Sequence, residues 1–355
     1  MSGKEAVNTS LAHVTYLMFP ICAAVGFLST WICRGIALKY GIVNHPNPIV
    51  PQHTRPVAYL GGAGIGLSFG LSLFLFNTLD LPVPGLSNPG SLWPFLLSTF
   101  GFLVLGLIDD LVPLRAGTKL FWQVVIAGYS VFSGLVHSFT GIHSLDCVMS
   151  GLWIVMLVNA FNVTDVCDGL VAGLSIIGLI MLAHINVTQS FLAMAMAGSC
   201  VGFLVFNFPP ASIFLGDAGS HLLGFTVAAL TLGMTPKPSE WWLRPLQMLL
   251  VAMVPLFEVV LLIYTRRRKG IAWWRGSPDH MALRLQSANL SKGQTDTLIW
   301  VAASLLAAAA FSLDWLSAFS RGLLLLICLI VLLGCFNKLL AYDVSTDKAP
   351  RRNSD

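Results

Sequence analysis

Long apolar segments alternate with short polar ones along most of the chain. Each apolar segment approaches the roughly 20 residues that a helix needs to cross a hydrocarbon core, whereas barrel strands would alternate in polarity over about half that length. We therefore predict an all-α, polytopic integral membrane protein with 10–11 transmembrane helices. The predicted spans cover residues 11–33, 57–76, 92–110, 119–136, 144–161, 169–186, 190–207, 213–233, 244–265, 295–313 and 319–341.

The composition agrees with a membrane location. Of the 355 residues, 56% are hydrophobic and 10% are charged, and the mean hydropathy is +0.79. Such a chain has too few polar residues to cover a water-soluble globule. The apolar run after the polar N-terminal residues lacks a small-residue cleavage pattern, so we expect no removable signal peptide. We expect one membrane domain over residues 1–355, with a long loop at 266–294 and a polar tail at 342–355.

The distribution of basic residues predicts an orientation. Eleven spans place the two termini on opposite sides of the membrane. All but four of the 20 Lys and Arg residues then fall on one side, the exceptions being Lys4, Lys237, Arg244 and Arg321. By the positive-inside rule, the N-terminus lies outside and the C-terminus is cytoplasmic. The seven cysteines show no C-x-x-C spacing, which does not favour a disulfide framework or a structural metal site.

Five aspartates fall at the predicted cytoplasmic ends of helices, although they come from three separate connections. They are Asp109, Asp110, Asp165, Asp168 and Asp217. Three of them, Asp165, Asp168 and Asp217, are also suited to capping the helix that follows. Asp109 and Asp110 instead end a helix, where the macrodipole favours cations, so they need a positive partner. Lys119 and Arg115 are close enough in sequence to supply one.

Converging carboxylates would repel one another and have raised pKa values unless a cation joined them. Oxygen ligands without a His and Cys cluster suit Mg²⁺, and Mn²⁺ is compatible with the same ligands. Asn162 lies three residues before Asp165, and Asp168 lies three residues after it, so on a helix the three would share one face. The sequence therefore predicts a metal and phosphate site formed in part by this segment.

Two basic segments are further candidates for binding. His280 and Arg284 are four residues apart and would share one helical face, where they could bind a diphosphate or a sugar, although an ordinary solvated loop is also consistent with this segment. His53 and Arg55 precede a glycine run, but glycines also allow close packing of transmembrane helices. The run "TRRRKG" is typical of a segment that fixes topology against anionic headgroups.

Five segments in order resemble the polyprenyl-phosphate N-acetylhexosamine-1-phosphate transferase family, the bacterial glycosyltransferase family 4 type. They are "HTRPVAYLGG", "GLIDDL" followed by "TKLFWQ", "NAFNVTDVCDGLVAG", "FNFPPASIFLGDAGS" and "PDHMALRL", within residues 41–290. The resemblance implies a Mg²⁺-dependent, multi-pass enzyme of the bacterial inner membrane. It would move a sugar 1-phosphate from a UDP-N-acetylhexosamine to undecaprenyl (polyprenyl) phosphate at the cytoplasmic face, release UMP and initiate a cell-surface glycan.

The resemblance also implies roles for individual residues. The implied catalytic residues are Asp109, Asp110 and Asp168, with Asp109 suited to deprotonate or orient the lipid phosphate. Asp217 and Asn162 are the implied metal ligands. The implied nucleotide or substrate contacts are Lys119, Asp165, Asn207, Phe214, His53, Arg55, His280 and Arg284, of which Phe214 would stack on uracil.

Two positions depart from the family pattern. Val166 stands where the family usually has glycine, so an added side chain would lie close to a bound nucleotide. The last loop carries one histidine where members that use the muramyl-pentapeptide donor carry three. We therefore expect a simpler UDP-N-acetylhexosamine as the donor.

Three other functions are consistent with parts of the sequence. An ion-coupled transporter would also hold acids in a multi-span protein, but transporters place them near the midplane at broken helices. A CDP-alcohol lipid synthase would share the metal, but "DGLVAG" has glycine where the signature of that class needs arginine. Val166 is the feature that best supports a catalytically inactive scaffold. We expect no nucleic-acid partner, and a homodimer is compatible with the sequence.

Overall fold

A computed structural model describes residues 3–45, 55–79, 89–186, 189–235, 237–272, 274–342 and 344, so that His53 lies outside the described residues. Within these ranges the chain forms thirteen α-helices and a two-stranded hairpin, which confirms the all-α membrane class. The helices are α1 (Gly3–Tyr40), α2 (Gly61–Thr78), α3 (Pro89–Leu111), α4 (Ala116–Phe132), α5 (His143–Thr164), α6 (Leu170–Ile185), α7 (Ser190–Asn207), α8 (Gly216–Leu232), α9 (Leu243–Val251), α10 (Met253–Arg268), α11 (Met281–Ser287), α12 (Lys292–Ser312) and α13 (Ala318–Ala341).

Seven of the described helices are long and apolar enough to cross a membrane, namely α1, α2, α3, α5, α7, α12 and α13. The bent pair of α9 and α10 makes an eighth span if the two are counted together. Helices α4, α6 and α8 also lie at predicted spans but have 17, 16 and 17 residues. The multi-pass architecture is therefore confirmed, while the orientation of the termini stays a prediction.

The predicted span at residues 244–265 is wrong as a single helix. The chain bends by 72° between α9 and α10. Pro255 lies in the first turn of α10 and has no N–H to donate to the carbonyl of Val251, four residues earlier. The hydrogen-bond ladder of α9 therefore ends at Val251, and a new helix begins at Met253.

Helix α8 lies at the centre of the bundle and is buried along almost its whole length, against α2, α3, α5 and α6. Its first turn touches the backbone of α3. A Cβ atom added at Gly106 of α3 would come 2.3 Å from the carbonyl oxygen of Asp217. This close approach brings the last turn of α3 beside the first turn of α8.

Several helices have a terminus at one end of the bundle, which we call the aspartate end and define by Asp109, Asp110, Asp165 and Asp217. Helices α3, α5 and α7 end there, and α2, α4, α6 and α8 begin there. The strands β1 (Val43–Asn44) and β2 (Val57–Ala58) pair antiparallel at this end, and Ala58 also forms a parallel bridge to Ile213. That this end faces the cytoplasm stays a prediction.

A second polar cluster lies at the opposite end, and we call it the counter-end cluster. Arg244 Nη1 lies 3.0 Å from Asp314 Oδ2, and Lys237 pairs with Asp314 Oδ1. Arg321 pairs with Glu240 and donates to the carbonyl of Leu313 at 2.7 Å. Lys237, Arg244 and Arg321 are three of the four basic residues that the charge distribution assigns to the side opposite the other Lys and Arg residues.

Candidate active site

Lys119 lies between two carboxylates that are far apart in sequence. Its Nζ is 2.9 Å from Asp109 Oδ2 and also pairs with Asp217 Oδ2. The other oxygen of Asp109 accepts the backbone N–H of Leu114 at 2.6 Å. The positive partner expected for Asp109 is therefore confirmed as Lys119, whereas Arg115 is exposed.

Asp110 caps a helix that begins more than a hundred residues later. Its Oδ1 accepts the N–H of Asp217 at 2.7 Å, and its Oδ2 accepts the N–H of Ala218 at 3.0 Å. Helix N-termini carry unpaired N–H groups and partial positive charge, so α8 supplies the positive partner that Asp110 needs. Gly216 makes this contact possible, because its φ is +74° and a Cβ atom there would lie 2.6 Å from Asp110 Oδ2.

Asp217 also binds the last turn of α5. Asn162 donates from Nδ2 to Asp217 Oδ1 at 2.8 Å and to the hydroxyl of Ser220 at 3.1 Å. Asp217 is thus held by Asn162 through one oxygen and by Lys119 through the other. These contacts join α4, α5 and α8 directly.

A chain of buried polar side chains supports the backbone of Asp217. His221 Nδ1 lies 2.5 Å from the Asp217 carbonyl oxygen, so that nitrogen carries the hydrogen, and Nε2 accepts from Gln123 Nε2 at 2.9 Å. Gln123 Oε1 in turn accepts from Asn159 Nδ2 at 2.7 Å. The chain fixes one tautomer of a neutral His221.

The turn at residues 165–169 brings two more carboxylates to this end. Helix α5 ends at Thr164, so the expectation that Asn162, Asp165 and Asp168 share one helical face is wrong. Asp165 is half-buried, and its pKa is raised well above the ordinary value by burial and by the charges of Asp217, Asp110 and Asp168. These charges act on it because it lies beside the other aspartates.

Asp168 and Asn207 connect this turn to the loop before α8. Asp168 Oδ2 accepts from Lys292 Nζ at 3.0 Å and from the N–H of Ala211 at 3.2 Å. Asn207 accepts the N–H of Gly169 at 2.9 Å and donates to the carbonyl of Ile213 at 2.8 Å. With 4% of its surface exposed, Asn207 uses its polar groups to join the two loops.

Phe214 follows Ile213 and has a fixed backbone. Its N–H donates to the carbonyl of Ala58 at 2.8 Å, and its carbonyl accepts the N–H of Gly61 at 3.0 Å. The side chain is half-buried, and the residue lies three positions before Asp217. Stacking of this ring on a base stays a prediction.

Arg55, His280 and Arg284 form no described hydrogen bond or ion pair with the four residues that define the aspartate end. Arg55 is exposed. His280 Nδ1 lies 2.8 Å from Glu258 Oε1, and both residues are buried. Arg284 donates from Nε and Nη2 to the carbonyl and carboxylate of Asp279, and from Nη1 to the carbonyls of Leu339 and Tyr342. A role for these residues in donor binding stays a prediction.

Sequence reasoning missed Tyr59. Its pKa is raised by burial and then by the charges of Asp110, Asp217 and Asp165, which places the phenol among these carboxylates. The segment "AYLGG" contains this residue, but the pattern drew attention to its glycines alone. The network of Gln123, His221 and Asn159 was missed as well, because isolated polar residues in apolar helices carry no spacing signal.

The donor set at the aspartate end suits a hard cation. Among the described residues, no group of three or more His, Cys, Asp and Glu side chains is arranged to hold a metal ion by itself. Asp109 and Asp217 nevertheless share the ammonium of Lys119, Asp110 binds the start of α8, and the pKa of Asp165 is raised in part by its acidic neighbours. Mg²⁺ typically takes one or two carboxylates and completes its shell with water and substrate phosphates, so these residues fit that ion.

Comparison with known proteins agrees with the motifs. Residues 92–235 match the model of glycosyl transferase family 4. The chain is 28% identical over 324 residues to a Bacillus subtilis protein named probable undecaprenyl-phosphate N-acetylglucosaminyl 1-phosphate transferase, covering 85% of this chain and 87% of that protein. It is 27% identical over 324 residues to the decaprenyl-phosphate N-acetylglucosaminephosphotransferase of Mycolicibacterium smegmatis, covering 82% and 80%.

A third relative is the undecaprenyl-phosphate alpha-N-acetylglucosaminyl 1-phosphate transferase of Salmonella typhi, which is 26% identical over 309 residues, 80% of each chain. The stretch matched by the family model includes all four residues that define the aspartate end, as well as Lys119. The family resemblance seen in the sequence agrees with these matches, since residues 92–235 match glycosyl transferase family 4 and the three relatives are similar over most of the chain.

Proposed function

We propose that this protein transfers an N-acetylhexosamine 1-phosphate from a UDP-sugar to undecaprenyl phosphate or a related polyprenyl phosphate and releases UMP. The reaction would depend on Mg²⁺ and take place at the cytoplasmic face of the inner membrane. The observation that carries this proposal is that Lys119 joins Asp109 to Asp217 at one end of a membrane bundle, where Asp110 and Asp165 lie near Asp217. The names of the three relatives support a polyprenyl phosphate acceptor and an N-acetylglucosamine donor group.

In the proposed reaction, an oxygen of the lipid phosphate attacks the β-phosphorus of the UDP-sugar. The bond from that phosphorus to the bridging oxygen breaks, and UMP leaves with the bond electrons. Phosphoryl transfer of this kind leaves the protein mainly with positioning and electrostatic stabilisation. The ammonium of Lys119 provides positive charge next to Asp217 and Asp109 for the phosphates.

Asp217, with Asp165 beside it and Asn162 in contact with it, would hold the Mg²⁺ ion. When bound, the ion supplies neutralisation of the charge that develops on the diphosphate. Asp110 acts on this part of the site by fixing the start of α8, which carries Asp217. Asp109 holds the Lys119 ammonium from the other side and is suited to orient the acceptor phosphate.

The test is a donor panel with the purified full chain in detergent and undecaprenyl phosphate as acceptor. UMP release and formation of the lipid-linked sugar should require one UDP-N-acetylhexosamine and Mg²⁺ and should stop when a chelator is added. Asp217→Asn should abolish most of this activity, while the matched variant Asp314→Asn, which changes the same residue type at the opposite end, should retain it. The proposal fails if no donor yields UMP or if the chelator has no effect.

A further inference from the structure

Lys292 and Asp296, at the start of α12, pack against the turn at residues 165–169. Both residues lie outside the stretch matched by the family model. Lys292 Nζ is 3.0 Å from Asp168 Oδ2. Asp296 follows one helical turn later, and its Oδ2 would be 3.4 Å from a Cβ atom added at Gly169. The first two turns of α12 therefore pack against both Asp168 and the residue after it.

The carboxylate of Asp296 is in an unfavourable environment. The residue is 0% exposed, and among the described residues its carboxylate faces no hydrogen-bond donor other than the weakly donating thiol of Cys167. Burying a charged group without hydrogen bonds costs free energy, and such groups are normally paired. The cation that acts on Asp296 is Lys292, four residues earlier on the same face of α12. Lys292 thus pairs directly with Asp168 and lies one helical turn from Asp296.

Burial of the Asp296 carboxylate destabilises the fold. A contact that served only to hold the helices together could be made without it. An asparagine or an apolar residue at position 296 would avoid a buried unpaired charge, because replacing buried charges with neutral groups is often neutral or stabilising. Proteins keep such costs mainly where function requires them. Asp296 lies beside the turn that carries Asp165 and Asp168, which indicates a function in the placement of these carboxylates.

We propose that Lys292 and Asp296 are a positioning pair for Asp168. Lys292 holds the Asp168 carboxylate in place through the ion pair, together with the N–H of Ala211, and the charge of Asp296 keeps the Lys292 ammonium in its position. Neither residue of the pair needs to touch the substrate. The consequence for the reaction rests on the proposed transferase function, whereas the pairing itself does not.

The first test uses Lys292→Met, Lys292→Arg and Asp168→Asn in the full chain. Lys292→Met should lower kcat/KM for UMP release roughly 10-fold to 100-fold, as loss of a supporting residue typically does, and Lys292→Arg should keep most of the activity. The double variant with Asp168→Asn should be no slower than Asp168→Asn alone, because Lys292 acts through Asp168. Lys338→Met, at an exposed position near the end of α13, is the matched control and should change nothing.

The second test uses Asp296→Asn, which keeps the shape and removes the charge. It should lower kcat/KM several-fold while the unfolding temperature rises or stays the same. A purely structural role predicts the opposite, with a lower unfolding temperature and unchanged activity per folded molecule, and that result would overturn the proposal. Additive losses for Lys292→Met and Asp168→Asn would overturn it too.

The pairing can also be measured without any substrate. Unfolding temperatures of the wild type, the two single variants and the double variant at positions 168 and 292 report whether the side chains interact. A non-additive cycle in a chain that releases no UMP would mean that the proposed function is wrong and the pair is real. An additive cycle in an active enzyme would mean that the pair is wrong and the function stands.

Discussion

The two ends of the bundle treat charge in different ways. At the aspartate end, Asp109 and Asp217 share the ammonium of Lys119, and Asp110 is bound by the N-terminus of α8. Asp168 pairs with Lys292, and Asp165 adds a fifth carboxylate to these two ammonium groups. In the counter-end cluster, two acidic side chains meet three basic ones, and each acid is paired directly. Balanced pairs are sufficient to join helices. An excess of carboxylates is useful where a ligand supplies the missing positive charge.

The difference also appears in the pKa values of the aspartates that lie outside the membrane-spanning helices. Burial and neighbouring acids raise the pKa of Asp165 at the aspartate end. Burial would raise the pKa of Asp314 as well, but hydrogen bonds from Lys237 and Gln247 and the charge of Arg244 outweigh it and lower the pKa. The same residue type is therefore destabilised as an anion at one end and stabilised at the other.

The largest expected effect comes from removing a charge at the aspartate end. Asp217→Asn should reduce UMP release by about 100-fold to 1,000-fold, the range typical for loss of one electrostatic contact to a transition state. Folding should be retained, because the amide can still accept from Asn162. Steady-state rates and thermal unfolding in detergent measure both. Near-normal turnover would show that the excess of carboxylates is not catalytic.

The next largest effect comes from disturbing the link between Asp110 and α8. Gly216→Ala places a methyl group 2.6 Å from Asp110 Oδ2 and requires an L side chain at a φ of +74°. The first turn of α8 must shift, and activity should fall by at least about tenfold, since small displacements of catalytic groups cost this much. Gly293→Ala, in the first turn of α12 with open space around it, is the matched control. Equal activity of the two variants would argue against the role of Asp110.

Removing a charge from the counter-end cluster should affect stability instead. Asp314→Ala leaves Lys237 and Arg244 without this partner, and the loss should be about 1–3 kcal/mol in the free energy of unfolding. Activity per folded molecule should not change, because the cluster lies at the other end of the bundle. A large loss of kcat with unchanged stability would contradict the view that the counter-end cluster stabilises the fold and the aspartate end carries the activity.

The smallest effect is a difference in the pH dependence of stability. Asp165 binds its proton more tightly in the folded state, so the metal-free protein should lose stability as the pH rises from the ordinary aspartate range through the raised pKa. Asp314 has a lowered pKa, so its contribution is present above the ordinary value and is lost as the pH falls through the lowered one.

Unfolding temperatures across pH, without divalent cations, test this difference. Asp165→Asn should reduce the loss of stability on the rising side, and Asp314→Asn should reduce the loss on the acid side, by a few degrees each. If both substitutions changed the dependence of unfolding temperature on pH in the same direction, Asp165 and Asp314 would not lie in opposite electrostatic environments. Added Mg²⁺ should weaken the effect of Asp165 but leave that of Asp314 unchanged.

Much of the architecture could be predicted because membrane spans depend on local hydropathy. The spans, the approach of Asp109, Asp110 and Asp217 and the pairing of Lys119 with Asp109 follow from apolar segments and alternating topology. The break between α9 and α10 was also readable in principle, since Pro255 removes a hydrogen bond inside the predicted span. Overall hydropathy outweighed that single residue in the prediction.

The unpredicted features depend on contacts between distant segments. The role of Asp110 as a cap for α8 required knowledge that α3 and α8 touch at Gly106. The contacts of Asp168 with Lys292 and of Arg284 with the end of α13 are equally long-range. The spacing of Asn162, Asp165 and Asp168 gave a wrong helical face because the chain leaves the helix at Thr164.

The length of α4 has a consequence for the surrounding lipid. Its 17 residues rise about 25 Å, whereas a typical hydrocarbon core is about 30 Å thick. Because α4 exposes Phe121, Trp122 and Val124, we expect a bilayer around it to thin locally. Helix α4 also carries Lys119, so we expect the acyl chain length of the host bilayer to affect the residue that joins Asp109 to Asp217.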